Sequence, residues 1–179
     1  MKTLNVDLVH TMVNNYRENQ LAIINKHPDS KTNNDAHSIW FDLESLKNFV
    51  SEIETTVKNV DGSVVPERLG VRIYYAAYPD KSSFGKFDDL KELLNDAETE
   101  KYENLHTLVM IPTITIDNDA IDFNPLDKNT YQKGLVDLEE YKLNSTSDIP
   151  GSVAALARNM GAKNHGSLIP PGRLTVEGF

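Results

Sequence analysis

The chain has 179 residues, 39% of them hydrophobic and 25% charged, with a net charge of −9 and no cysteine. That length buries a core without a metal or disulfide staple, and the missing cysteines exclude disulfides and thiolate-held zinc or iron–sulfur centres. No run of eighteen apolar residues occurs, which excludes a spanning helix, and the acidic balance argues against general binding to a phosphate backbone.

Charge is spread unevenly. Residues 1–148 carry 15 basic and 26 acidic side chains, a balance of −11; residues 149–179 carry 3 basic and 1 acidic, a balance of +2. The expectation is one globular domain over 1–179, with 149–179 a locally basic tail packed on it or extending from it. Asp7 and Asn14–Asn15 interrupt any apolar leader, so a cytoplasmic location is expected.

In chain order, Val6, Val9, Val13 and Tyr16 recur at helical spacing, with Met12 beside them. The run Leu21–Ile24 either continues that helix or forms a short strand. His27 to His37 is a loop by composition, and Ser38–Phe41 is short, aromatic and β-branched, an extended lead-in. The second helix is clearest. Asp42 suits an N-cap, Glu44 sits in the first turn, Phe41 can staple onto Leu46, and the helix runs from about Leu43 to about Lys58. Leu43, Leu46, Val50, Ile53 and Val57 form its apolar stripe, widened by Phe49.

Gly70–Tyr78 reads as a strand closed by Pro79, with Val71, Ile73, Tyr75 and Ala77 on one face and Arg72, Tyr74, Ala76 and Tyr78 on the other. A helix follows over Phe87–Ala97, through Leu90, Leu93 and Leu94. Thr107–Ile111 is a second strand, broken by Pro112, which Thr113–Ile116 extends beyond a bend. The link between the strands permits a parallel crossover or an antiparallel return. Asp117–Tyr141 is acidic and weakly patterned, with helical spacing over Thr130–Leu143 interrupted by Gly134. Ser152–Met160 is a short alanine-rich helix stopped by Gly161, and Lys163–Gly172 reads as turn and polyproline-like chain. The fold class is therefore α+β: a small mixed sheet covered on one side by two or three helices, with long polar loops.

The ordered set WFDLESLKNF, GVRIYYAAY, HTLVMIPT and NHGSLIPP resembles a family of small uncharacterised Bacteroidota proteins, over about Tyr16 to Pro171. The resemblance implies no catalytic residue. It implies only that the NHG-x-L-x-PP segment belongs to the family pattern.

The sharpest candidate site combines Arg72, Tyr74, Asn164 and His165. Arg72 offers a planar, permanently charged fork, His165 titrates near neutral pH, and Asn164 can orient or donate. The competing reading has Asn164 and Gly166 making a turn, His165 hydrogen-bonded to backbone and Arg72 paired with a carboxylate. Asp117, Asp119 and Asp122 have an oxygen-rich spacing but lack the glycine and terminal glutamate of a calcium loop, so solvated acids are the better reading. The five histidines show no metal-ligand spacing, and no phosphate loop or nucleophile elbow occurs, so no catalytic residue, metal or cofactor is expected. Trp40 and Phe41 read as staple and core rather than as a stacking platform. The expectation is a non-enzymatic cytoplasmic interaction or accessory protein that recognises another protein, not nucleic acid or membrane, through its tail and one sheet face. The alternative is a small enzyme or an anion- or metabolite-binding protein using Arg72, Tyr74 and His165. Oligomeric state is left open.

Overall fold

The computed structural model describes residues 3–95, 97, 99–135 and 167–169. Two compact units share the chain: the first takes 1–40, 75–107 and 166–179, the second 41–74 and 108–165. The fold is α+β. Its main sheet has three strands in the order β2–β3–β4, where β2 is Leu69–Ala77, β3 is His106–Ile116 and β4 is Asp119–Asp122. A separate antiparallel pair joins β1 (Ser38–Trp40) to β5 (Ser167–Ile169).

The first unit opens with α1 (Val6–Asn15), capped by Asn5, whose side chain accepts from the Asp7 N–H at 2.7 Å. A π-helical stretch over Tyr16–Leu21 then leads directly into α2 (Ala22–Lys26), so the run at 21–24 is helical. Of these segments only Leu21 is buried; Val6 and Met12 are exposed. The core of this unit gathers Ala36, Tyr78, Phe84, Leu93, Tyr102, Leu105 and Leu168, with Ile39, Leu90 and Leu94 packed against it. The predicted helix at 87–97 is realised as α4 (Asp88–Lys91) between tight helical turns, and its three leucines do face that core.

The tail departs from the polyproline reading at Ser167–Ile169. Leu168 is buried, and its N–H donates to the Tyr102 hydroxyl at 3.2 Å, so the segment is drawn into an extended pairing with β1. Trp40 differs in the other direction: it is 61% exposed and belongs to no core. The predicted helix over Ser152–Met160 lies outside the described residues, as does most of the basic tail.

The second unit is organised by α3 (Leu43–Val60). Asp42 caps it by accepting from the Ser45 N–H at 2.7 Å, as its residue type demands. Phe49, Ile53 and Val57 are buried against Met110, Ile114, Phe123 and Tyr131. The buried stripe is rotated relative to the predicted one, because Leu43 and Val50 are exposed. At about 100° per residue, Leu46, Phe49, Ile53, Val57 and Val60 share one narrow arc, and Leu43 and Val50 fall on its flank.

The sheet runs antiparallel. In the first unit the Tyr78 N–H donates to Leu105 O at 3.0 Å, and in the second the Arg68 side chain donates through Nε to Thr115 O at 3.0 Å. Of the two connections left open by the sequence, the antiparallel return is the one used. β3 also continues through Pro112 rather than breaking there. The β3–β4 ladder pairs Thr113–Ile116 with Asp119–Asp122, and just past its end Phe123 donates to Pro112 O at 3.1 Å. Pro112 thus accepts from Phe123 and has no N–H to return to it, so the proline falls at the end of the β3–β4 ladder. Asp117 and Asn118 both hold positive φ, 51° and 73°, in the two-residue turn from β3 to β4. Such turns require left-handed residues, which Asp and Asn tolerate.

α5 (Thr130–Lys133) ends at Gly134, whose φ of 69° and ψ of −166° belong almost only to glycine. A Cβ there would lie 2.1 Å from Ile121 Cγ2 and 3.0 Å from Asp122 O. Gly134→Ala is therefore expected to destabilise the protein by about 3 kcal/mol or more, measured by denaturant unfolding. Gly85→Ala, where a Cβ would meet nothing within 4 Å, is the near-neutral control.

Candidate functional site

The structure brings Arg72 and Tyr74 together on Asp122. From β2, Arg72 Nη1 donates to Asp122 Oδ1 at 2.6 Å and Nη2 donates to Ala120 O at 2.5 Å, while the Tyr74 hydroxyl donates to Asp122 Oδ2. Residues two apart on β2 project to the same face, and β4 presents Asp122 to it across β3. The Tyr74 hydrogen bond first, and the Asp122 charge second, hold Arg72 even more firmly protonated than usual. Its fork is occupied within the chain. Asn164 and His165, the other two members of the predicted site, lie outside the described residues. Asp117, Asp119 and Asp122 are spread along a hairpin, and among the described residues no three His, Cys, Asp or Glu side chains are placed to hold a metal ion.

A second polar centre, in the first unit, had no signal in the sequence. Asp35 is 1% exposed, yet its carboxylate is fully engaged. Oδ1 accepts from the Ala36 N–H at 2.8 Å and the His106 N–H at 2.7 Å, and Oδ2 meets His106 Nδ1. A carboxylate only accepts, so Nδ1 carries a proton toward Asp35, and Nε2 points outward. The His106 side chain is 41% exposed, and no partner holds Nε2 among the described residues. Asn25 Oδ1 accepts from the Asp35 N–H at 2.8 Å, tying the loop to α2. Around this dyad, Arg17 donates to His37 Nδ1 at 3.3 Å, and burial, then the Asp35 charge, then Tyr75 push the Tyr16 hydroxyl above its ordinary pKa. Asp35 and His106 stand 71 positions apart, so no local motif announces them.

A cleft of about 560 Å³ flanks the dyad in the chain. Lys31, Asn33 and Asn34 line one wall; Lys101, Glu103 and Asn104 line the other. It is polar, and its charged lining sets two lysines against one glutamate. Lys31 pairs with Asp80 at 3.0 Å and depresses that carboxyl's pKa, and Glu103 accepts from the Lys81 N–H at 2.8 Å. Asn104 adopts a φ of 60°, a left-handed position that asparagine tolerates.

The third feature is β2 itself. It is the edge of the main sheet, and among the described residues no strand pairs with its other side. Leu69 packs on the second core, but farther along the same face Val71 is 39%, Ile73 55% and Tyr75 91% exposed. No family model matches this chain, and no curated protein or solved structure matches it either.

Asp35→Ala leaves two backbone N–H groups and an imidazole without their acceptor. It is expected to cost roughly 3 kcal/mol of stability and to release His106 from the Nδ1–H tautomer, read by nitrogen chemical shifts. Asp35→Asn keeps an acceptor for the backbone donors and loses less, about 1 kcal/mol.

Proposed function

We propose that this chain is a non-enzymatic interaction protein that lends the edge of β2 to another polypeptide as a template for an added strand. The observation that carries the reading is the exposure of Val71, Ile73 and Tyr75 on a strand whose outer side pairs with no other strand among the described residues. Sheet edges are usually blunted by lysine, proline, a bulge or a covering loop. Within β2 the lone charge is Arg72, and its guanidinium is turned across the sheet onto Asp122, away from the edge. Main-chain groups on such an edge supply affinity, and alternate side chains supply selectivity. An acidic surface keeps the body of the protein from associating indiscriminately.

Placing a charge on the edge tests this reading. Ile73→Lys is expected to keep the native stability to within about 0.5 kcal/mol, because the side chain is exposed. It is expected to lose the partners that cross-linking in the source cell assigns to β2. An unchanged partner set in the variant would remove the edge from consideration.

The Asp35–His106 dyad and the neighbouring polar cleft support a second reading, a small-ligand site in the first unit. Here the ligand is a small hydrophilic molecule, because the walls offer amides and both signs of charge. A ligand that binds only the folded state raises the melting temperature. The expected result is a shift with a polar metabolite that Asn33→Leu diminishes; a flat response across a broad panel counts against the site.

A further inference from the structure

We propose that His106 is the proton-accepting group of the small-ligand site in the first unit, taking a proton at Nε2 from an O–H or N–H of the bound molecule. The inference rests on the second reading above, and it adds the atom that acts on the ligand and the kind of group it acts on.

Four histidines are described, and their Nδ1 atoms separate them. His10 Nδ1 accepts from the Asn14 amide at 2.9 Å, His27 Nδ1 from the Asp29 N–H at 3.2 Å, and His37 Nδ1 from Arg17 at 3.3 Å. Each of these partners is a donor. In each neutral ring the proton therefore sits on Nε2, and the lone pair on Nδ1 is spent within the chain. His106 is the reverse. Its Nδ1 meets a carboxylate, which only accepts, so the neutral ring keeps its lone pair on Nε2. Among the described residues no partner holds that atom, and the side chain is 41% exposed.

Asp35 gives the arrangement its direction. It is 1% exposed, and the Ala36 and His106 N–H groups fix Oδ1, so Oδ2 is held on the imidazole rather than turned to water. When Nε2 takes a proton, the ring becomes an imidazolium whose charge this carboxylate balances, and the ligand atom that gave the proton keeps the electron pair. Asp35 is thus a positioning residue, and His106 is the group that touches the ligand.

A hydroxyl donor stands close enough to feel the Asp35 charge. Burial first, then that charge, then Tyr75 push the Tyr16 hydroxyl above its ordinary pKa, so it keeps its proton at neutral pH and remains an O–H donor. Tyr16 and Arg17 both belong to the π-helical stretch Tyr16–Leu21, a local geometry that recurs at functional sites. Asn34 and Leu105, the chain neighbours of the two dyad residues, line the polar cleft.

Diethyl pyrocarbonate on the full chain tests the proposal without knowledge of the ligand. An imidazole lone pair attacks its carbonyl carbon, ethyl carbonate leaves with the bonding pair, and the ring gives up its other N–H proton. Peptide mass spectrometry reads each histidine separately. His106 is expected to react roughly tenfold faster than His27, although the His27 side chain is the more exposed, 56% against 41%. Asp35→Asn keeps an acceptor for the backbone donors. It is expected to slow His106 about fivefold and to leave His10 and His27 unchanged, with folding checked by circular dichroism. Nitrogen chemical shifts of the unmodified chain need no variant: the expected result is an Nδ1–H ring at His106 and Nε2–H rings at His10, His27 and His37. A His106 that reacts no faster than His27, or that holds the Nε2–H tautomer, would overturn the proposal. His106→Gln is expected to diminish the melting shift given by a polar metabolite that binds the unmodified chain. An equal shift in that variant would refute the role of His106 alone and leave the ligand site standing.

Discussion

A β-strand has two hydrogen-bonding edges, and every backbone donor and acceptor on them requires a partner, protein or water. β3 lies between β2 on one side and, over Thr113–Ile116, β4 on the other. It can therefore be buried, and Met110, Pro112, Thr113 and Ile114 are. Among the described residues β2 is paired on one edge only, and its position in the order leaves Val71, Ile73 and Tyr75 exposed.

The same strand shows how context reassigns chemistry. Arg72 alone has the properties of an anion receptor. Placed across the sheet from Asp122 and beside Tyr74, it becomes a cross-strand brace. The pair is partly exposed, so its worth to stability is modest; its consequence is to remove the one charge that could have guarded the edge. In the first unit the opposite happens. Asp35 sits in a stretch that reads as solvated loop, yet it is drawn out of water because three donors converge on it. A carboxylate so placed is kept by its hydrogen bonds, and it orients His106 as a second consequence.

Each unit also illustrates how strictly geometry filters an apolar pattern. In α3 the arc that reaches the core is narrow, so Leu46 and Ile53 serve it while Val50, one step round the helix, is left on the flank. At Gly134 the constraint is absolute. Ile121 occupies the space a side chain would need, and the backbone holds a conformation that only glycine adopts comfortably.

Local chemistry made much of the architecture legible. The Asp42 cap, the helix behind it, the two β-rich strands and the α+β class all follow from interactions between residues close in the chain, where periodicity and capping act directly. Pro112 misled because proline's cost depends on which neighbour its missing N–H would have faced, and that neighbour, Phe123, is set by the fold. Ser167–Ile169 misled because its strand pairs with Ser38–Trp40, far away in the chain. Of the candidate site, Arg72 and Tyr74 were found from their alternation on one strand face, but Asp122 as their partner was not. The Asp35–His106 dyad left no trace, since two residues 71 positions apart carry no shared local signal. The sequence by itself determined the capped helix at Leu43–Val60 and the two β-rich strands, because those choices are made over a few residues. Tertiary structure alone decided which polar groups meet and which strand keeps an open edge, because both depend on long-range closure that no local pattern encodes.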